Sequence, residues 1–300
     1  MRALVTGAHG FVGRQLVDLL RRSGDTVTLL DRSGDPPVDI TDARAVRDAV
    51  AEHAPDAVYH LAAASHVGES WDAPDQVFRV NAEGALHLLQ ACIHAGVARV
   101  LVVGSADEYG AVTESDLPIT EEAPLRPLTP YGASKVAADV LALQAYLGEG
   151  LPTIRVRAFN HTGPGQRASF LVPGLARRIA DAERDGRDEV AVGALEPVRD
   201  VSDVRDVVRA YRLLVEHGEP GEAYNVCTGR GVTVADVADR LVRLSGRALR
   251  LTVAPELVRP VDVPNLVGDP AKLSAATGWS PEIALDTTLR DVLETARADR

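Results

Sequence analysis

The sequence predicts a doubly wound α/β fold, a parallel sheet covered by helices on both faces, with a smaller lobe in the C-terminal half. Three observations predict it. In the first half, short apolar runs alternate with segments of helical periodicity. Those runs are apolar almost without interruption, as strands buried on both faces must be. A glycine-rich turn joins the first run to the first helical segment.

The elements follow in order. "ALVTG" (3–7) is read as a buried strand and "GFVGRQLVDLLRRSG" (10–24) as the helix after it. "TVTLLD" (26–31) is the second strand, "DARAVRDAVAEH" (42–53) a helix and "DAVYHLAA" (56–63) a strand. "NAEGALHLLQACIHAG" (81–96) is a helix and "ARVLVVGS" (98–105) a strand; a helix starting at Pro130 and the strand "PTIRVRAFN" (152–160) follow. From about residue 161 the pattern loosens, Pro and Gly become frequent, and shorter helices are expected. "EAYNVCT" (222–228) is expected to return a strand to the main sheet, and the charged run 177–189 to be a solvated helix end and turn.

Three hundred residues suffice for a sizeable core, and a net charge of −11 argues against nucleic acid or an anionic membrane as partner. Cys92 and Cys227 are isolated in apolar settings, which suits a reducing compartment. The N-terminus shows no signal peptide or spanning helix, so a cytoplasmic location is expected. The histidines show no metal-binding spacing, so no metal is expected. No GxSxG elbow accompanies Ser65 and His66, whose segment is instead expected to line a cofactor or substrate pocket.

"VTGAHGFVG" places Gly7, Gly10 and Gly13 between the first strand and its helix. Such glycines permit a tight turn and let a pyrophosphate approach the backbone at a helix N-terminus. With the strand before it and the helix after it, this loop is read as a dinucleotide site. Phe11 and Val12 belong to the same turn. Asp31 ends the second strand, where a carboxylate accepts from ribose hydroxyls and repels a 2′-phosphate. NAD(H) is therefore favoured, while Arg32, directly after it, leaves NADP(H) possible. Asp39, beside Ile40, either reaches the adenine edge or caps the next helix.

"TPYGASKVAAD" (129–139) sets Tyr131 and Lys135 on one helical face, with Thr129 as cap and Pro130 in the first turn. A free phenol titrates near 10. Nearby positive charge that lowered it by about 3 units would supply roughly 4 kcal/mol and make a general acid/base for a hydroxyl–carbonyl pair. Ser105, at the end of its strand, is expected to hydrogen-bond the reacting oxygen, and Lys135 to serve the nicotinamide ribose as well.

On these residues the chain resembles the extended short-chain dehydrogenase/reductases that modify nucleotide sugars. The likeness runs over essentially the whole length: TGAHGFVG (6–13), HLAA (60–63), GSADEYG (104–110), PYGASK (130–135), FNHTGPGQ (159–166), RDVSDVRDVVRAY (199–211), YNVCTG (224–229), RPVDVPNLVGD (259–269) and TGWSP (277–281). The last blocks look most like the GDP-mannose 4,6-dehydratases and GDP-4-keto-6-deoxy-mannose reductases. The resemblance implies a Rossmann-like NAD(P)-binding domain (1–162 and 194–228) and a nucleotide-sugar-binding lobe (163–193 and 229–300). It makes Ser105, Tyr131 and Lys135 a triad, sets Leu61, Ala62 and Ala63 beside the cofactor, and has Asn81 brace Lys135 through water. Asn160, Arg199 and Arg259 would hold phosphates and sugar, Leu171 would meet the base, and Asp262 would reach a sugar hydroxyl.

An arginine fork matches phosphate geometry; Arg199 is expected just before a polar turn into a helix, Arg259 in a Pro-flanked loop. Dehydratases of the family carry a glutamate two residues before the tyrosine of the strand-end motif. Here that position is Asp107, one methylene shorter. The departure puts reduction of a 4-keto-6-deoxy hexose ahead of 4-epimerisation and 4,6-dehydration, with a non-catalytic nucleotide sensor a distant fourth. The helices near 81–95 and 131–147 carry apolar residues beyond one stripe: Leu86, Leu88, Leu89, Cys92 and Ile93, then Val140, Leu141, Leu143 and Leu147. In the family such helices form a dimer's four-helix bundle, so a homodimer is expected.

Overall fold

A computed structural model describes residues 1–258 and 263–299. Arg259 and Asp262, two expected substrate ligands, lie outside the described residues. Strand β1 (Arg2–Thr6) leads through helix α1 (Phe11–Arg22) to β2 (Thr26–Leu30), α2 (Ala43–His53) and β3 (Ala57–His60). Then α3 (Pro74–Phe78) and α4 (Gly84–Ala95) run through a π-helical turn at Arg79–Glu83. β4 (Arg99–Val103), α5 (Pro130–Glu149) and β5 (Thr153–Ala158) complete the first half.

β6 (Asn160–Thr162), α6 (Leu171–Asp185), β7 (Glu189–Val192), β8 (Val198–Asp203), α7 (Val204–His217) and β9 (Ala223–Val226) come next. The chain ends with β10 (Gly231–Thr233), α8 (Val234–Ser245), β11 (Arg250–Val253), β12 (Asn265–Leu266), α9 (Ala271–Thr277) and α10 (Leu285–Ala298). The helices of the second half are not shorter than those of the first: α6 has 15 residues and α7 and α10 have 14, against 12 in α1. Pro and Gly fall mostly in their connections, and Pro173 and Gly174 sit in the first turn of α6, where they do not break it.

Among the described residues, a six-stranded sheet has the order β2-β1-β3-β4-β5-β9, every pairing parallel. β9 is the strand expected to return at 222–228, and it pairs with β5 from Arg155↔Ala223 to Ala158↔Val226. One face is covered by α1 and α7, through Leu16, Leu20, Val207, Tyr211 and Leu214. The other is covered by α2, α4 and α5, through Val46, Val50, Leu88, Cys92, Ala142 and Ala145. The chain passes from β1 outward to β2, then crosses to β3 on the opposite side of β1. That reversal opens a crevice at the strand C-termini, where ligands of such sheets bind.

A separate apolar cluster joins α6, α8 and α10 through Leu175, Ile179, Val237, Leu241, Leu289 and Val292. Beside it, β8 pairs with β10 antiparallel and with β12 and β6 parallel, while β7 pairs with β11. Arg199 therefore lies inside a strand, not before a turn as the sequence suggested. β8 runs straight into α7, and Asp203 caps that helix by accepting from the Arg205 N–H. No helix among the described residues is long and apolar enough to cross a membrane.

Candidate active site

The glycine turn sits at the crevice. Gly7 has φ +67, and a Cβ there would lie 2.8 Å from the Ala62 nitrogen, so the turn packs directly on the backbone that leaves β3. A Cβ on Gly13 would lie 2.2 Å from the Gly7 carbonyl oxygen, so helix and turn touch backbone to backbone. Gly10 is the N-cap of α1 and gives it no side-chain cap, which leaves the first N–H groups, from Phe11 onward, facing the crevice mouth. The Phe11 ring stacks on His161, with centroids 6.3 Å apart.

Asp31 follows β2 and accepts from the His9 N–H (3.1 Å) and the Ser33 N–H (3.0 Å), which ties the strand end to the glycine turn. Arg32 beside it is exposed. Asp39 does not cap α2. It accepts from the Thr41 N–H and hydroxyl, which hold its carboxyl below the usual range, and Asp42 is the cap. Ile40 is buried against Gly84.

Leu61, Ala62 and Ala63 form the loop after β3. Thr6 Oγ1 accepts from the Leu61 and Ala62 N–H groups, both at 3.1 Å, so its own proton goes to His60 Nδ1 at 2.9 Å. That leaves the ring proton on Nε2. Burial, with Lys135 adding to it, pushes His60 down to about 3, so the imidazole is neutral.

Thr129 caps α5 by accepting from the Gly132 N–H at 3.0 Å, and Pro130 occupies the first turn, as expected. Tyr131 and Lys135 are 8% and 6% exposed and share the inner face. Ser105 caps a short 3-10 turn (Ala106–Glu108). Its Oγ accepts from the Asp107 N–H (3.1 Å) and donates to an Asp107 carboxylate oxygen (3.0 Å). Ser105, Asp107, Tyr131 and Lys135 are thus brought together where β4 ends.

Burial dominates their electrostatics. Burial raises the Tyr131 phenol and the Asp107 carboxylate raises it further, while Ser105 opposes both by hydrogen bonding. Lys135 turns its Nζ to the Val103 carbonyl (2.8 Å) instead of the phenol, and burial lowers it to about 8. The phenol of the free protein therefore keeps its proton.

Asn81 braces the site by a route the sequence did not disclose. Its side-chain oxygen accepts from the Ala64 N–H (2.8 Å), and its amide nitrogen donates to the Ala64 carbonyl (3.2 Å) and to Ser134 Oγ (2.9 Å). Ser134 then donates to the Tyr131 carbonyl (2.7 Å). This brace reaches α5 at Ser134 and locks the loop after β3 to the helix carrying both side chains.

Behind the 3-10 turn lies a buried polar network that the sequence reading missed. Glu108, 0% exposed, accepts from the Ser105 N–H at 2.7 Å and faces the Arg157 guanidinium at 3.4 Å. Burial and Asp139 push its carboxyl up; Arg157, Ser105 and Lys135 pull it back. Arg157 also donates to the Glu121 carbonyl, and Tyr109 donates to Asn225 Oδ1 at 2.7 Å. A signal was present: Ser105-x-x-Glu108 spells a capping box.

Of the expected substrate ligands, Asn160 is exposed on β6 opposite Val201, and Leu171 opens α6. Arg199 is 8% exposed, and its Nη1 donates to the Val198 carbonyl at 2.8 Å. Asp200 is turned the other way, accepting from Thr228 and Gly229. His66 meets Phe170 edge-on at 5.8 Å, which brings its loop beside the start of α6.

A family model described as GDP-mannose 4,6 dehydratase matches residues 37–292. The chain belongs to this family. The GDP-6-deoxy-D-mannose reductase of Pseudomonas aeruginosa is 37% identical over 298 residues, 97% of this chain and 96% of that protein. The structure of RMD from Pseudomonas aeruginosa complexed with NADPH superposes with a TM-score of 0.91 at 35% identity, covering 99% of each chain. The UDP-glucose 4-epimerase of Thermus thermophilus in complex with NAD gives 0.89 at 31% identity, covering 100% of each. The Rossmann-like sheet is that of the extended short-chain dehydrogenase/reductases, whose members here include nucleotide-sugar reductases, dehydratases and epimerases.

Proposed function

We infer that the chain reduces the 4-keto group of a 6-deoxy hexose linked to a nucleotide, GDP by preference, using a nicotinamide dinucleotide. The observation that carries this reading is the likeness, over nearly the whole chain, to a GDP-6-deoxy-D-mannose reductase, with Tyr131 buried on α5 beside Ser105 at the end of β4. A phenol so placed can hand a proton to the carbonyl oxygen as hydride reaches the carbon.

The glycine turn fits a pyrophosphate, since Gly7 and Gly13 leave no room for a Cβ and α1 is uncapped. Gly7, Gly10, Phe11, Val12 and Gly13 would hold the diphosphate and Asp31 the adenosine ribose, which favours NAD(H). Arg32 is the residue a 2′-phosphate of NADP(H) would meet. When bound, the nicotinamide supplies hydride to the carbonyl carbon. Tyr131 gives its proton to the carbonyl oxygen, Ser105 Oγ orients that oxygen, and Lys135 donates to the nicotinamide ribose. Asn160, Leu171 and Arg199 hold the nucleotide sugar.

The test is to incubate purified protein with GDP-4-keto-6-deoxy-mannose and NADH or NADPH, and to follow products by mass spectrometry and NMR. Net cofactor oxidation with a reduced deoxysugar is expected. Sugar isomers without cofactor consumption would replace the reading by epimerisation. Dehydration is the second reading, with Asp107, whose carboxylate accepts from Ser105 Oγ, as the extra acid/base that elimination needs. Loss of water from GDP-mannose would establish it.

Asp107 also gives a signed pH prediction. Its charge raises the Tyr131 phenol, so Asp107→Asn lowers it, and the alkaline limb of kcat/KM for reduction should move to lower pH. A pH–rate profile checks this.

The homodimer reading gains support from three side chains on the α3–α4 and α5 faces: Phe78 is 50% exposed, Val140 52% and Leu147 73%. Leu88, Leu89 and Cys92 do not contribute, because they fill the core between α4 and the sheet. Val140→Glu should convert a dimer to a monomer on sizing columns; a monomeric wild type would refute the assembly.

A further inference from the structure

Helix α6 carries three arginines, and two of them are paired within reach of their own turn. Arg177 meets Asp181, and Arg184 meets Asp181 and Asp185, while Glu183 is taken by Arg297. Arg178 is the exception. It is half-buried, its Nε is sealed from solvent without a hydrogen-bond partner, and among the described residues it forms no hydrogen bond or ion pair. Burial lowers its guanidinium from the ordinary arginine value. In a chain with 43 acidic residues against 32 Lys and Arg, a half-buried guanidinium that meets none of those described keeps its terminal nitrogens available to an acceptor from outside the chain.

Its placement indicates where that acceptor comes from. Leu171, Gly174 and Arg178 fall on one stripe of α6, and a helical side chain leans back toward the N-terminus of its helix. Accordingly, a Cβ on Gly174 would lie 3.6 Å from Arg178 Nη1 and 2.6 Å from the Ala168 carbonyl oxygen. The glycine lets the guanidinium lie down along the helix toward the loop before Leu171. Leu171 is the residue that meets the base in the reading above.

We propose that Arg178 recognises the guanine of the nucleotide sugar by donating from its guanidinium fork to O6 and N7. This rests on the GDP-sugar reading and deepens it. Guanine offers two adjacent acceptors on that edge, which match the fork in a bidentate way. Uracil and thymine have no such pair there, so the contact would sort GDP-sugars from UDP- and dTDP-sugars.

Calorimetric titration of the full chain with GDP, UDP and 7-deaza-GDP, for the wild type and Arg178→Gln, tests it. Wild type should bind GDP better than UDP, and Arg178→Gln should weaken GDP by about 5- to 150-fold while UDP is unchanged. 7-Deaza-GDP, which lacks N7 but keeps O6, should bind the wild type more weakly than GDP and lose less than GDP does in the variant. Equal weakening of GDP and UDP would mean a phosphate contact and would overturn the proposal. So would an unchanged GDP affinity, or a wild type that binds GDP and UDP alike. A wild type that binds UDP but not GDP would instead remove the GDP-sugar reading on which the proposal stands. Arg178→Lys, which keeps the charge but not the fork, should recover only part of the GDP preference.

Discussion

Replacing Tyr131 with phenylalanine is expected to lower turnover by roughly 10²- to 10⁴-fold, the range that a positioned general acid supplies. The ring stays buried and the variant gives up only the hydroxyl's hydrogen bond with Ser105, so it should still fold. Cofactor affinity should hardly change, because the glycine turn and Asp31 lie on other elements. Stopped assays with a ketosugar, beside fluorescence titration with NADH and NADPH, separate the two effects. Full activity in the variant would remove Tyr131 from the chemistry. Loss of cofactor binding together with activity would mean the phenol is structural.

The second large effect is expected at Gly13. A Cβ there would lie 2.2 Å from the Gly7 oxygen and 2.8 Å from Ala8 Cα, both backbone atoms that no rotamer change can move. Gly13→Ala must therefore push α1 away from the turn. Overpacking of this kind costs about 1–3 kcal/mol, and the displaced N–H groups lose their aim at a pyrophosphate. A drop in melting temperature and a loss of cofactor affinity of at least tenfold are expected. Gly24→Ala is the control. Gly24 also has a positive φ, +83, but no atom lies within 4 Å of its Cβ position, so it should cost only the local strain of roughly 1–2 kcal/mol and leave cofactor binding alone. If both variants bind cofactor equally well, the glycine turn is not the pyrophosphate cradle.

The core strands were legible because they are buried on both faces and so are mostly apolar, as in residues 100–103. The Thr129–Pro130 start of α5 was legible for a similar reason, since capping is a local affair between a hydroxyl and an N–H three residues on. β8 was not, because "VRDVSD" interleaves polar side chains with its valines, and the partners of Asp200 lie far away in sequence, at Thr228 and Gly229. The same distance hid the route taken by Asn81: its link to Ser134 spans 53 residues. Helical periodicity also misassigned Leu88, Leu89 and Cys92 to an outer face. Each helix here lies against both the sheet and a neighbouring helix, so a wide apolar stripe is satisfied within one chain. Phe78, which is half exposed, was overlooked because it precedes the segment read as helix.

The π-helical turn at Arg79–Glu83 inserts one extra residue into an otherwise continuous run from Pro74 to Ala95. One residue is worth roughly 100° of rotation about a helix axis. The insertion therefore acts as a phase shifter, letting Asn81 point inward at Ala64 and Ser134 while Phe78, three residues earlier, points out to solvent. Deleting a residue there would not shorten the rod noticeably. It would re-index every side chain upstream, and the carboxamide clasp and the outward phenyl could no longer both be kept.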